Sequence, residues 1–207
     1  MKYILSIIIA FITLSSSPSQ HKRVQALLPL NCSAARTKPV RYVMLHYTSN
    51  ALANPKNPLD VEAVLQIFKK YRVSAHYLIE RDGTVYQLVS EDRTAFHAGK
   101  GSLPNKPETL NAMNSMSIGI EMMAVGTPEE MLKLGVKDYA SIPDAAKGFT
   151  ELQYQSLSEL LLEIASRHDK LKITKGQIIG HDKYAPERRG DPGQLFDWER
   201  LPWSQTE

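Results

Sequence analysis

Apolar and polar positions follow two rhythms along this chain, and those rhythms predict its elements. Arg41 to His46 (RYVMLH) is a run of apolar and aromatic residues after Pro39, which suits a strand ending at a histidine. From Leu59 to Tyr71 the apolar residues Val61, Val64, Leu65 and Phe68 recur at helical spacing, with Asn57-Pro58 as a starting signal. SAHYLIERDGTVYQLV then reads as two strands around Asp82-Gly83, a pair that supplies positive φ for a tight hairpin. Ser117 to Met122 (SIGIEM) sets Ile118 and Ile120 against Ser117, Gly119 and Glu121, so a strand there aims Glu121 away from the isoleucine side. A second helix is predicted over about Thr150 to Asp169, opened by a Thr150 to Gln153 capping box and carrying Tyr154, Leu157, Leu161 and Ile164 on one stripe. Gly99 to Met116 and Gly126 to Gly148 carry neither rhythm and read as long loops, which in a compact domain are usually functional or mobile. Strands interleaved with helices around one hairpin predict a single α/β domain over residues 40–207, a central mixed β-sheet flanked by α-helices.

The N-terminal pattern differs in kind. Met1-Lys2 gives a positive start, Tyr3 to Leu14 is nearly all apolar, and small residues fill Ser15 to Ser19, the layout of a secretory signal peptide over residues 1–19. The apolar run, about 12 residues, is shorter than the roughly 18 to 20 that span a bilayer, so the expectation is cleavage and export to the periplasm or medium rather than a permanent anchor. Residues 20–39 lack pattern and read as a flexible tether. The lone Cys32 lies there, which excludes a disulfide framework or a Cys-rich metal site, and Asn31 before it fits a lipoprotein cleavage site poorly. Ordinary globular proportions, 43% hydrophobic and 23% charged, allow one sizeable core. The net charge of +3 is scattered rather than striped, which argues against nucleic acid as a partner and is compatible with an acidic polymer.

Candidate chemistry sits where predicted sheet meets loop. His46 closes a strand and is followed by Tyr47-Thr48; His181 follows the apolar GQIIG and precedes a loop with Asp191 ten positions on. Two imidazoles and a carboxylate are a workable zinc set with a position left open for water. Asp191 also suits a plain turn in Asp-Pro-Gly. His76, inside the hairpin strand, and His97, in FHAG, could each ligate metal or be hydrogen-bonded interior imidazoles; the interior reading is preferred for His76, and His97 is placed at the site rim contacting substrate. His21 falls in the tether, and His168 lies near a helix C-terminus, where the dipole favours partial positive charge.

SAHYLIERDGTVYQLV, FHAG, SIGIE and GHDKYAPERRGDPGQLFDW, in this order with His46 upstream, resemble the type-two N-acetylmuramoyl-L-alanine amidases, relatives of the peptidoglycan recognition proteins, over roughly Pro39 to Leu201. The resemblance implies one zinc ion held by His46, His181 and Asp191, with Glu121 as general base and Arg189 stabilising the oxyanion. It also implies hydrolysis of the amide between N-acetylmuramoyl groups and L-alanine, with peptidoglycan or muropeptides as partner and Tyr47, Thr48 and His97 as substrate contacts. Two positions depart from the pattern. Ala75 stands where some relatives place a catalytic tyrosine, which leaves proton transfer to Glu121, and the segment after FHAG lacks a tryptophan often found there.

Overall fold

A computed structural model describes residues 22–204, so the expected signal peptide over 1–19 lies outside the described residues. In chain order the elements are β1 (Arg23–Gln25), β2 (Ser33–Ala35), β3 (Tyr42–Thr48), α1 (Val61–Tyr71), β4 (Tyr77–Ile79), β5 (Val85–Gln87) and β6 (Arg93–Ala95). They continue with α2 (Met113–Met116), β7 (Ser117–Met123), α3 (Pro128–Lys133), α4 (Glu151–Arg167), β8 (Ile178–Gly180) and α5 (His181–Tyr184). Six strands form one sheet in the order β1-β5-β4-β7-β3-β8. The β4–β5 hairpin is antiparallel and the other pairings are parallel, so the sheet is mixed as the sequence predicts.

Local signals account for these elements. Asp82 and Gly83 sit in the β4–β5 turn, where Gly83 adopts φ 83° and the Asp82 carboxylate accepts from the Thr84 amide. Helix α4 begins at the expected capping box: Thr150 Oγ1 accepts from the Gln153 amide and Gln153 Oε1 accepts from the Thr150 amide. Helix α1 starts later than Asn57-Pro58 suggests, because Asp60 is the residue that caps it, accepting from the Ala63 amide at 3.1 Å.

The two faces of the sheet are covered differently. Val43, Leu45, Ile118, Ile120 and Ile178 pack against the α4 stripe of Tyr154, Leu157, Leu160, Leu161 and Ile164, the main core. On the opposite face, α1 buries Val64, Leu65 and Phe68 against Leu78, Leu88 and Cys32. The neighbouring stretch of that face, with Met44 and Ile179, is covered by Ala98, Leu103, Met113, Met116 and Tyr184.

Three expectations need correction. Residues 23–35 are not a flexible tether: β1 pairs in parallel with β5, β2 pairs antiparallel with β6, and Cys32 is fully buried in the α1 core. Strand β3 runs two residues past His46, pairing Tyr47 with Met122 and Thr48 with Met123. The two long loops are structured in part, since 99–116 includes α2 and a 3-10 turn at Pro107–Thr109, and 126–148 includes α3 with its own capping box at Thr127.

Candidate metal and active site

Parallel register places the central pair. His46 of β3 is the ladder partner of Glu121 of β7, and both project from the face opposite α4. His181 enters from the adjacent strand, β8, as the first residue of α5. Asp191 returns on the following loop, whose backbone carbonyl accepts from the Asp182 amide at 2.9 Å. The outcome is convergence: Asp191 Oδ2 lies 2.6 Å from His46 Nδ1 and 3.1 Å from His181 Nδ1.

Among the described residues His46, His181 and Asp191 form a group able to hold a metal, their ligand atoms all within 4.8 Å of one another. Hydrogen counting supports the fit. His181 Nε2 lies 2.8 Å from the Ala98 carbonyl, which can only accept, so the ring hydrogen belongs on Nε2 and a bare Nδ1 faces the Asp191 carboxylate. Two lone pairs turned toward each other need a cation between them, and nitrogen with carboxylate oxygen is a donor set that suits zinc. Burial opposes ionisation of Asp191, but the two imidazoles set against it, His181 and then His46, outweigh burial and hold the carboxyl far below its ordinary range. His46 is lowered chiefly by burial, which favours the neutral, ligating ring.

Glu121 completes the arrangement as an acid without a partner. Its Oε2 is buried and makes no hydrogen bond among the described residues, and burial followed by the Asp191 charge pushes the carboxyl up to about 8. A buried, unpartnered carboxyl costs stability, and such a cost concentrates where proton transfer is needed. Arg189 is exposed, and its charge reaches both His46 and Glu121.

The remaining expected residues are placed less uniformly. His76 is interior, its Nδ1 accepting from the Gly119 amide at 3.0 Å, with its pKa lowered to about 3 chiefly by burial. His97, partly exposed, lies on the side of His46 away from Asp191, with Nδ1 3.0 Å from His46 Nε2 and Nε2 3.1 Å from Ser117 Oγ. Tyr47 turns toward α3, its hydroxyl 3.9 Å from Met131 Sδ, and burial with the Glu130 charge raises its pKa. Thr48 accepts through its carbonyl from the Ala124 amide.

Two supporting residues escape a reading of the sequence. Arg188, seemingly a spare surface cation, donates from Nη2 to the carbonyls of Ala98 and Lys100, both at 2.8 Å, and so holds the carbonyl that orients His181. Glu130 Oε2 accepts from the Thr127 amide while Oε1 accepts from the Gln194 amide at 2.8 Å, pinning the loop after Asp191 to α3. An Arg next to an Arg, and a Glu in a capping box, carry no signal that separates them from ordinary surface residues.

Comparison with known proteins places the chain among amidases. The chain is 39% identical over 129 residues to the 1,6-anhydro-N-acetylmuramyl-L-alanine amidase AmpD of Haemophilus influenzae, covering 62% of this chain and 56% of that one. It thus spans a little over half the length of that curated relative. Among solved structures, a selenomethionine derivative of AmpD superposes with a TM-score of 0.60 at 26% identity, covering 88% of this chain and 93% of the other. The amidase AmiD of Escherichia coli, solved with anhydro-N-acetylmuramic acid-L-Ala-D-γ-Glu-L-Lys, superposes with a TM-score of 0.58 at 26% identity, covering 78% of this chain and 56% of the other. Residues 36–194 match the Amidase_2 family, described as N-acetylmuramoyl-L-alanine amidase, and the chain belongs to that family.

Proposed function

We propose that this chain is a zinc-dependent amidase that hydrolyses the bond between an N-acetylmuramoyl group and L-alanine in peptidoglycan or muropeptides. The observation that carries the reading is the unpartnered, buried Glu121 Oε2 on the ladder rung shared with His46, beside the converged His181 and Asp191. His46, His181 and Asp191 would hold the ion, which when bound supplies Lewis acidity that acidifies a water and polarises the amide carbonyl. Glu121, on the rung shared with His46, takes a proton from the attacking water and returns it to the departing L-alanine nitrogen. Arg189 cannot deprotonate, so its part is to bind the oxyanion or a substrate carboxylate.

AmiD was solved with an anhydromuramyl peptide, and the same substrate class is the natural probe for this chain. On a defined muropeptide the expected products are free muramyl sugar and an intact stem peptide with a free L-alanine amine, read by mass spectrometry. Cleavage within the stem would make the chain a peptidase, and binding without turnover would make it a receptor.

Export belongs to the same proposal, resting on the Lys2 and Tyr3 to Leu14 pattern. N-terminal sequencing of protein from its native cells is expected to read a start soon after Ser15 to Ser19. An unprocessed Met1 form recovered from the cytosol would exclude it.

A further inference from the structure

We propose that His97, backed by Ser117, is a positioning residue that fixes His46 as a ligand through a bare Nδ1, and that Gly119 is glycine so that the His97 ring can sit there. The inference rests on the zinc reading above.

One chain of contacts fixes where each hydrogen sits. Its far end is the Met113 carbonyl, which can only accept. Ser117 Oγ donates its single hydrogen to that carbonyl at 2.7 Å, so toward His97 Nε2, 3.1 Å away, the same oxygen must accept. The His97 hydrogen therefore sits on Nε2, leaving Nδ1 as a lone pair pointed at His46 Nε2 across 3.0 Å. His46 must then carry its hydrogen on Nε2. Its Nδ1 is bare and faces Asp191 Oδ2 at 2.6 Å. The same tautomer is imposed on His181 by a shorter route, the Ala98 carbonyl at 2.8 Å. Both imidazoles thus present Nδ1 to one point, each held from behind by an acceptor, the arrangement that makes a histidine a good ligand.

Space for this relay comes from β7. A Cβ on residue 119 would lie 2.5 Å from His97 Cγ and 2.8 Å from its Nδ1, closer than real Cβ contacts allow. Gly119 also donates its amide to His76 Nδ1 at 3.0 Å, so the rung below the reacting groups is fixed by a second histidine. FHAG and SIGIE therefore act as one unit, the first supplying the imidazole and the second its seat and its serine.

The test measures metal affinity rather than turnover alone. Zinc affinity of the metal-free full chain is read by competition with a chromophoric chelator, and ring ¹⁵N shifts of His46 are read in the zinc-loaded protein. His97→Leu is expected to weaken zinc by about 10- to 100-fold. His97→Asn, whose amide oxygen can accept in place of Nδ1, is expected to recover most of that loss, and the parent spectrum to show His46 protonated on Nε2. Ser117→Ala, the milder change should His97→Leu not fold, is expected to weaken zinc severalfold. Unchanged affinity in His97→Leu or Ser117→Ala, equal losses in the Leu and Asn variants, or a His46 hydrogen on Nδ1 would each overturn the proposal. A parent chain that binds no zinc would overturn the metal reading itself, a result visible before any variant is made.

Discussion

Glu121→Gln is expected to lower turnover by about 10²- to 10⁴-fold, the usual cost of losing a general base, while zinc and muropeptide remain bound. Gln matches Glu in volume and hydrogen-bonding capacity but cannot take a proton from water at neutral pH. The stability of the metal-free protein is expected to move the other way. The Glu121 carboxyl is held near 8 in the fold against 4.5 for the free group, so the folded chain keeps a proton that the unfolded chain releases between those values. Its contribution to stability is complete below pH 4.5 and lost as pH rises through about 8. Gln stays neutral throughout. Metal-free Glu121→Gln should therefore match the parent near pH 4 and exceed it by on the order of 2 kcal/mol near pH 8, discounting for partial exposure. Thermal midpoints at the two pH values, with zinc content and turnover on the same preparation, check both halves. Unchanged turnover would remove Glu121 from the chemistry, and zinc lost together with turnover would make it a ligand or a ligand's support.

Chelation is expected to abolish hydrolysis, and zinc to restore it at a stoichiometry of about one. His181→Ala should lose both metal and activity, because it deletes one of three converging ligands, while the Ala98 carbonyl keeps its bond from Arg188. The metal should also register as stability: a ligand that binds only the folded chain adds about 4.1 kcal/mol at a thousandfold excess over its Kd. A rise of the thermal midpoint on adding zinc to the parent, and none in His181→Ala, is the expected pattern. Full activity in metal-free protein would end the zinc reading.

The sequence discloses elements whose signals are local and hides those whose partners are distant. Asp82-Gly83 and the Thr150 capping box lie within the elements that they start or turn, so hairpin and helix are readable from a few residues. Strands β1 and β2 are not: RVQ and SAA span three residues each, show no alternation long enough to notice, and pair with strands about 60 residues away. A patternless stretch therefore reads as a tether although it closes one edge of the main sheet and builds a second, two-stranded one. The site divides in the same way. Histidines beside strand ends and an acid opposite two isoleucines are visible as candidates, and the resemblance of the surrounding blocks assigns their roles. What His97 does depends on which way hydrogens run through Met113, Ser117 and His46, and no single segment contains that information.

The register of β3 against β7 has an evolutionary consequence. His46 and Glu121 occupy one rung, so their backbones are separated by the interstrand spacing of a sheet, about 4.8 Å, whatever the loops around them do. A slip of one residue in β7 would turn Glu121 into the α4 core, so drift in that strand is blocked. The segments 99–116 and 126–148 lie off that rung and touch the site at a few anchors, the Lys100 and Met113 carbonyls in the first and the Glu130 carboxylate in the second. Insertions and deletions between those anchors can reshape the surroundings of the site while the reacting pair stays in place. Descendants of such a scaffold can diversify in diet without reinventing the reaction.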